Sequence, residues 1–381
     1  MPWKTTNVSE QRFQFVLLAS RKQQSLAALC REFGISRQTG HLWWKRFQQD
    51  GLAGVREHSR RPRRSPTQVR AEIAEAVVAL RRARPDWGAH KLQQLLERDH
   101  PHLPKVALST VHRILERAGL IEDADRHRPA LERFERARPN ELWQMDFKGP
   151  QEFNQGVGPL SILDDHSRYL VLLKHVGSTQ MGPVRQAMGE AFTHAGLPET
   201  LLFDHGIPWW NPASPIGWSE LTVWILRQGI RVAYSGFRHP QTQGKVERMH
   251  GSLQRAVGKR RRSLTDQPWL DEFRDEYNHV RPHQALGMQT PGLCWRPSPR
   301  RFEPEPPDWI YAAGLETVRL SREGQLQWSG RRWEISRALR HQLVGLERIE
   351  QRLLIHFCNT AVREIDLRTG KMSPLQRCSS S

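Results

Sequence analysis

The sequence predicts a multidomain α+β protein, with helical units in its amino-terminal part, a mixed α/β core and a small β-barrel in its carboxyl-terminal part. Apolar residues recur at helical spacing as far as about residue 118, short β-rich segments begin at Leu142, and short strands without intervening helices follow Pro297. A chain of 381 residues is also too long for one hydrophobic core. We expect domains at 1–54, 69–125, 139–296 and 310–381, with a linker at 55–68.

The charge balance indicates a polyanionic partner. Lys and Arg number 58 against 40 Asp and Glu, which gives a formal net charge of +18 at pH 7. Such a charge favours nucleic acid or an anionic membrane surface. No apolar stretch is long enough to span a bilayer, and the first residues lack a signal-peptide pattern, so we expect a cytoplasmic protein. The four cysteines are scattered without a CxxC pair, and we expect neither a disulfide framework nor a cysteine-based zinc site.

The first domain has the pattern of a helix-turn-helix. Ser25 is suited to cap one helix, Gly34 suits the turn that ends it, and Ser36 is suited to cap the next helix. That second helix would present its first residues to the major groove of DNA. The residues expected to contact DNA there are Arg37, Gln38, Thr39 and His41. An ordinary antiparallel helix pair fits the same pattern, although the basic context favours DNA binding.

The linker at 55–68 is basic and interrupted by prolines, which excludes a regular helix. Its arginines either follow a minor groove or phosphate backbone, or they remain solvated without a fixed contact. The arginines concerned are Arg60, Arg61, Arg63 and Arg64. Helical patterns at 71–83, 90–96 and 109–118 then indicate a second DNA-binding unit, in which we expect Ser109 to cap the last helix.

Three acidic residues occupy positions at which a mixed sheet typically forms its active site. Asp146 and Asp204 each end a predicted strand, and Glu247 lies on the first turns of a long predicted helix. Strand ends meet at one edge of the sheet, and a helix that crosses this edge brings the third acid alongside. Clustered carboxylates repel unless hard cations neutralise them, and oxygen ligands favour Mg²⁺ or Mn²⁺. Two such ions, roughly 3.5–4 Å apart, activate the attacking oxygen and stabilise the leaving oxygen of a phosphoryl transfer.

Six motifs follow one another across the predicted core. They are Trp-Gln-Met-Asp-Phe at 143–147, Leu-Asp-Asp-His-Ser-Arg-Tyr at 163–169, Asp-His-Gly at 204–206, His-Pro-Gln-Thr-Gln-Gly-Lys-Val-Glu-Arg at 239–248, Tyr-Asn at 277–278 and Arg-Pro-His-Gln-Ala-Leu at 281–286. In this order they resemble the integrase core of bacterial insertion-sequence transposases of the DDE group, which are akin to retroviral integrases. The likeness covers about residues 139–296 and extends to the helix-turn-helix and the terminal barrel.

The resemblance implies a ribonuclease H-like fold and a DNA transposase that cleaves transposon ends and joins their 3′-hydroxyls to target DNA. It also implies that Asp146, Asp204 and Glu247 are the catalytic residues and the ligands of two Mg²⁺ ions, for which Mn²⁺ can substitute. Asp164 and Asp165 fall in an element that has a structural role in the family. Because transposition requires paired ends, we expect a homo-oligomer assembled on DNA.

The sequence departs from the family pattern in two places. The interval from Asp204 to Glu247 is longer than is usual in retroviral integrases, and the position two turns after the glutamate is Gln254 instead of a basic residue. We expect Arg248 or Arg255 to take over that DNA contact. The full set of DNA contacts expected on this helix is Lys245, Arg248, Arg255 and Lys259. The basic run continues through residues 260–262, and a solvated helix end is the alternative interpretation.

Other features leave two interpretations open. Trp209 and Trp210 either stack on unpaired bases beside the cut or are buried in the core. For the whole chain, the alternatives to a transposase are a DNA-binding regulator with a non-cutting core and a ribonuclease H-like nuclease that acts on RNA–DNA hybrids.

Overall fold

The computed structural model describes residues 8–56, 69–121, 135–149, 156–235 and 244–374. The chain divides into two compact units between residues 69 and 70. The linker arginines Arg60, Arg61, Arg63 and Arg64 lie outside the described residues. Among the described helices, none combines the length and the apolar character needed to cross a bilayer.

The first unit contains three helices and a 3₁₀ turn: α1 (Val8–Ser20), α2 (Leu26–Glu32), α3 (Arg37–Asp50) and Gly51–Val55. Both predicted caps are present. The Ser25 hydroxyl accepts a hydrogen bond from the backbone N–H of Ala28 (3.3 Å), and the Ser36 hydroxyl accepts one from that of Thr39 (3.1 Å). Each cap satisfies a donor that the first turn of a helix leaves without a partner.

Two glycines allow the close approach of α2 and α3. Gly34 has a φ of +63° in the turn between them, a conformation that glycine adopts without steric cost. At Gly40 a Cβ atom would lie 2.3 Å from Cys30 Sγ and 3.0 Å from the Phe15 ring. The two helices therefore pack against each other and against α1 at a distance that only glycine permits, as the predicted helix-turn-helix requires.

The second unit begins with three helices that pack together: α4 (Ala71–Ala83), α5 (Ala89–Asp99) and α6 (Leu108–Arg117). The buried guanidinium of Arg81 donates hydrogen bonds to the carbonyl oxygens of Trp87 and Leu120, which ties α4 to the segments before α5 and after α6. The prediction that Ser109 caps α6 is wrong. The N-cap position lies two residues earlier, at Ala107, because burial of the apolar face sets the helix register and a cap contributes only about 1 kcal/mol.

The core contains a five-stranded mixed sheet in the order β3-β2-β1-β4-β5. Its strands are β1 (Leu142–Phe147), β2 (Leu160–Asp164), β3 (Leu170–Lys174), β4 (Thr200–Phe203) and β5 (Arg231–Tyr234). The first three strands form an antiparallel meander, whereas β4 and β5 run parallel to β1. This arrangement matches the strand order along the chain that the sequence predicts, with two helix-linked parallel strands after a meander.

Helices cover both faces of the sheet. They are α7 (Met181–Ala195), α8 (Glu220–Arg227), α9 (Gly244–Arg260), α10 (Gln267–Asp275) and the short α11 (Pro291–Cys294), with a π-helical segment at Glu276–Val280. Trp143 and Met145 of β1 pack on the side of α7 and α8. On the other face, Val246, Met249 and Leu253 of α9 pack against leucines of β2 and β3. Alternating residues of β1 therefore point to different helices.

The carboxyl-terminal region corrects one prediction, because its sheet is not closed. The strands are β6 (Glu316–Arg319), β7 (Gln325–Trp328), β8 (Arg331–Glu334), β9 (Leu343–Ile349), β10 (Arg352–Phe357), β11 (Thr360–Asp366) and β12 (Met372–Pro374). Five of them form an open sheet in the order β12-β11-β10-β9-β6, and β7 and β8 form a separate hairpin. Within the described residues no pairing joins the two edges, so the predicted small β-barrel is an open sheet with a hairpin.

This open sheet packs on the core helix α8 instead of closing on itself. Val223 and Leu226 of α8 share a hydrophobic cluster with Leu326, Ile335 and Phe357. The apolar face that would line a barrel is thereby covered by the core. The sequence did not predict β9, whose Gly345 disrupts the strand pattern; a Cβ there would lie 2.6 Å from the Tyr311 ring that crosses the strand.

Candidate active site

The register of the sheet brings two of the predicted acids to the same level. In the parallel pair of β1 and β4, Gln144 lies opposite Leu202. Continuing this register by two residues sets Asp146 opposite Asp204, on strands that are typically about 4.8 Å apart. Both carboxylates therefore lie at one edge of the sheet, at the carboxyl ends of neighbouring parallel strands. Open α/β sheets form their sites at such edges.

Helix α9 packs against β1 and β2 and carries the third acid. The backbone N–H of Val246 donates a hydrogen bond to Gln144 Oε1 (3.2 Å), which fixes the start of the helix on β1. One turn later, His250 Nδ1 lies 3.7 Å from Asp146 Oδ2, and its Nε2 lies 3.0 Å from Ser161 Oγ of β2. Glu247 stands between these two contacts, in the first turn, with its side chain exposed.

The electrostatics of Asp146 reflect both its surroundings and its acidic neighbours. Burial, together with the charges of Asp204 and Glu247, raises the pKa of Asp146 to about 7. Burial also lowers the pKa of the adjacent His250 to about 3, so this imidazole is neutral and does not compensate the acids. The excess negative charge and the purely oxygen donor set fit a hard divalent cation. Among the described residues, no three metal-binding side chains already surround a common point.

Asp204 is held by its own loop. Trp209 Nε1 donates a hydrogen bond to Asp204 Oδ1 (2.7 Å), and the backbone N–H of Gly206 donates to the same oxygen (2.9 Å). The Trp209 side chain is buried, which agrees with the core interpretation of this residue. Trp210 is half-buried against His205 and Tyr234.

Asp164 and Asp165 lie close by but are engaged internally. Both are fully buried. Asp164 accepts hydrogen bonds from the backbone of Asn140 (2.7 Å) and from the hydroxyl of Ser167 (2.6 Å). Asp165 accepts one from Gln144 Nε2 (2.9 Å). These contacts fix the connection after β2, as the resemblance implied for this element.

The basic residues predicted to contact DNA differ in their surroundings. Lys245 Nζ lies 2.6 Å from Asp165 Oδ2, and burial lowers the pKa of this lysine, so its ammonium has an internal partner. Arg248 and Arg255 are exposed on α9, and Lys259 is half-buried. Arg260, the next residue of the same basic run, is not a free phosphate contact, because its guanidinium is paired with Asp86 and Glu276.

In the helix-turn-helix, the predicted contact residues stand at the start of α3. Arg37, Gln38 and His41 are exposed, and Thr39 is half-buried beside the Ser36 hydroxyl (2.8 Å). This is the end of a recognition helix that reaches base edges in known helix-turn-helix proteins.

The sequence did not predict three residues that hold the acids in place: Gln144, His250 and the indole of Trp209 as a hydrogen-bond donor. For Gln144 and His250, the sequence position relative to the acids could have indicated this role. Gln144 lies two residues before Asp146, on the same face of β1, and His250 lies one turn after Glu247 on α9. Trp209 had no such signal, because its partnership with Asp204 depends on the path of the loop.

The chain matches three domain families. Residues 11–63 match a Helix-turn-helix domain, residues 39–115 a Homeodomain-like domain, and residues 228–291 an Integrase core domain. The chain is also 24% identical over 235 residues to an uncharacterized 31.7 kDa protein of insertion element IS407 from Burkholderia multivorans. That match covers 58% of this chain and 79% of the relative.

Viral integrases are among the solved structures with some likeness to this chain. The intasome of simian T-cell lymphotropic virus, in complex with PP2A regulatory subunit B56 gamma, is 16% identical and has a TM-score of 0.36, covering 75% of this chain and 97% of that one. The HTLV-2 integrase catalytic core domain in complex with magnesium is 15% identical with a TM-score of 0.33, covering 42% and 97%.

The domain matches indicate helix-turn-helix segments for DNA binding and an integrase core, and the integrase core supports an enzyme of the polynucleotidyl transferase type. With the insertion-element relative, they support an insertion-sequence transposase with an integrase-like core, a protein of DNA recombination. The resemblance found in the sequence is therefore confirmed.

Proposed function

We propose that this protein is a DNA transposase that cleaves transposon ends and transfers their 3′-hydroxyls into target DNA, with Asp146, Asp204 and Glu247 as its catalytic carboxylates. The observation that carries the proposal is the parallel register of β1 and β4, which continues to Asp146 opposite Asp204; burial, followed by the charges of Asp204 and Glu247, raises the pKa of Asp146 to about 7. Groups with strongly perturbed pKa values cluster at functional sites. Two acidic neighbours destabilise the charged form of a carboxylate, so a purely structural role does not account for them.

The three carboxylates would hold two Mg²⁺ ions, or Mn²⁺ in their place. When bound, such ions lower the pKa of the attacking hydroxyl and stabilise the leaving oxygen of phosphoryl transfer. Asp146 contributes a half-buried carboxylate at the end of β1, Asp204 contributes one fixed by its loop, and Glu247 contributes a longer side chain from α9. The neutral ring of His250 packs beside Asp146 without adding a positive charge that would compete with a cation.

DNA would be bound by two sets of exposed residues, one in each of the two units. Arg37, Gln38 and His41 are exposed for base contacts in the helix-turn-helix, and Arg248 and Arg255 are exposed for phosphate contacts on the catalytic helix. Thr39 is less available for a base contact than these three residues, because its hydroxyl already contacts the Ser36 hydroxyl. Since transposition joins two ends, we propose a homo-oligomer that forms on paired DNA ends.

The proposal is tested with the full-length protein, Mg²⁺ and linear DNA that carries the terminal repeats flanking the gene. Wild-type protein is expected to nick the ends and join them to target DNA, whereas Asp146→Asn should lose at least about 100-fold in rate while binding the same DNA. Asp275→Asn is the matched control, because Asp275 is an exposed aspartate on α10 and should keep full activity.

Two results would reject the proposal. Equal inactivity of wild type and Asp146→Asn, with intact DNA binding in both, would indicate a DNA-binding regulator with a non-cutting core. Digestion of a labelled RNA–DNA hybrid without joining of DNA ends would indicate a ribonuclease H-like nuclease. The oligomer is tested separately by sedimentation with and without paired ends, and a monomer on both substrates would reject it.

A further inference from the structure

Trp209 makes a contact that a core aromatic residue does not need. Its indole Nε1 donates a hydrogen bond to Asp204 Oδ1 at 2.7 Å. The backbone N–H of Gly206 donates to the same oxygen at 2.9 Å, whereas Oδ2 accepts no hydrogen bond from the described residues. Two donors therefore fix one carboxylate oxygen and leave the other available, which restricts the rotation of the carboxylate.

The indole ring itself stacks with two aromatic rings whose residues neighbour the acids in the chain. The Phe147 ring stacks on it with centroids 5.6 Å apart, and the Phe203 ring stacks with centroids 5.0 Å apart. Phe147 follows Asp146 on β1, and Phe203 precedes Asp204 at the end of β4. The stack therefore joins the ends of both strands, and the indole is only 1% exposed.

The backbone of Trp209 is anchored as well. Its carbonyl oxygen accepts hydrogen bonds from Thr222 Oγ1 of α8 (2.5 Å) and from the hydroxyl of Tyr234, at the end of β5 (3.1 Å). Trp209 is thus fixed by its ring, by its backbone and by its N–H. A donor held so firmly imposes its own position on the acceptor, because moving the carboxylate alone breaks a charge-assisted hydrogen bond.

We propose that Trp209 is a positioning residue, which clamps Oδ1 of Asp204 so that Oδ2 is presented to a divalent cation. The inference rests on the proposed function, in which Asp204 is a metal ligand. Groups that orient a ligand in this way typically contribute about 10- to 100-fold to metal affinity or activity. The competing explanation is that Trp209 only fills the core.

The substitution Trp209→Phe separates these explanations, because phenylalanine keeps an aromatic ring in the stack and lacks the N–H donor. The chain offers a closely matched control in Trp143→Phe. The Trp143 indole belongs to the same hydrophobic cluster, is fully buried and donates to a side-chain oxygen, that of Asn140 (3.1 Å), instead of to Asp204. Both substitutions remove one hydrogen bond and similar volume.

The measurement is a titration of the full-length protein with MnCl₂ alone, followed by electron paramagnetic resonance, with the unfolding temperature recorded for each variant. We expect Trp209→Phe to weaken Mn²⁺ binding by about 10-fold or more, and Trp143→Phe to leave the affinity within about 2-fold of wild type. If Trp209→Phe fails to fold, 3-benzothienylalanine at position 209 replaces the N–H by sulfur at nearly unchanged shape, and it should weaken binding equally.

Asp204→Asn distinguishes a failure of this inference from a failure of the proposed function. If Asp204→Asn weakens Mn²⁺ binding but folded Trp209→Phe binds as tightly as Trp143→Phe, then Trp209 only fills the core and the inference is wrong. If Asp204→Asn binds Mn²⁺ like wild type, Asp204 is not a ligand, and the proposed metal site fails together with the inference.

Discussion

Asp86 is the centre of a buried ion-pair cluster, and its removal should strongly destabilise the second unit. Asp86 Oδ1 accepts hydrogen bonds from Arg260 Nε (2.9 Å) and Nη2 (2.7 Å), and Oδ2 accepts one from Arg281 Nη1 (3.2 Å). The Asp86 carboxylate is fully buried and the Arg281 side chain is 3% exposed. Since Asp86 lies between α4 and α5, and Arg260 ends α9, this cluster fastens the α4–α6 helices to α9.

The substitution Asp86→Ala leaves Arg281 buried without its carboxylate. Breaking a buried pair in this way costs about 3–5 kcal/mol, because the remaining charge stays desolvated. Urea unfolding at pH 7 should show this loss of free energy of unfolding. Asp99→Ala is the control, since Asp99 pairs with Arg98 on the surface and should cost less than about 1 kcal/mol. Equal losses in the two variants would refute the role assigned to Asp86.

Three further predictions follow from close contacts and burial. Gly206→Ala sets a Cβ 2.8 Å from Asp204 Oδ1, so we expect strand transfer to fall about 10- to 100-fold with little change in unfolding temperature. Gly40→Ala sets a Cβ 2.3 Å from Cys30 Sγ, and calorimetry should show the helix-turn-helix destabilised by about 1–3 kcal/mol. Burial, followed by the charges of two nearby arginines, lowers the pKa of Lys91 from 10.5 to about 7. Because the fold disfavours the charged lysine, Lys91→Met should raise the free energy of unfolding by about 2 kcal/mol at pH 7.

Each of these predictions has a control. Gly182 and Gly258 have open space where a Cβ would stand, so alanine at either position should leave activity and stability unchanged or slightly improved. Activity of Gly206→Ala equal to that of Gly182→Ala would contradict the first prediction, and stability of Gly40→Ala equal to that of Gly258→Ala would contradict the second.

The control for Lys91→Met is its pH dependence. The unfolded chain binds the lysine proton more strongly than the folded chain between pH 7 and 10.5. Wild-type stability therefore rises with pH through this window, and the gain from Lys91→Met is largest at pH 7 or below and vanishes above about pH 10.5. A gain that is independent of pH would show that the substitution acts through packing instead.

Features that depend on neighbouring residues were predictable. The caps at Ser25 and Ser36, the turn at Gly34 and the long helix that carries Glu247 each follow from a few adjacent positions, because helix caps and periodicity are local properties. Placing Asp146 and Asp204 at strand ends was equally local. The sequence thus determined the helix-turn-helix, the order of elements in the core and the family resemblance.

Other features became visible only in the tertiary structure, because they join residues far apart in the chain. Arg260 has the sequence context of a phosphate contact, yet its carboxylate partner Asp86 lies 174 positions away. Lys245 forms an ion pair with the carboxylate of Asp165 and also donates a hydrogen bond to the backbone carbonyl of that residue, although the two residues lie 80 positions apart in the chain. Two further features depend on how elements pack: the open carboxyl-terminal sheet is covered by α8, and the Trp209 indole donates a hydrogen bond to Asp204. The whole fold sets this packing, and no local pattern in the sequence determines it.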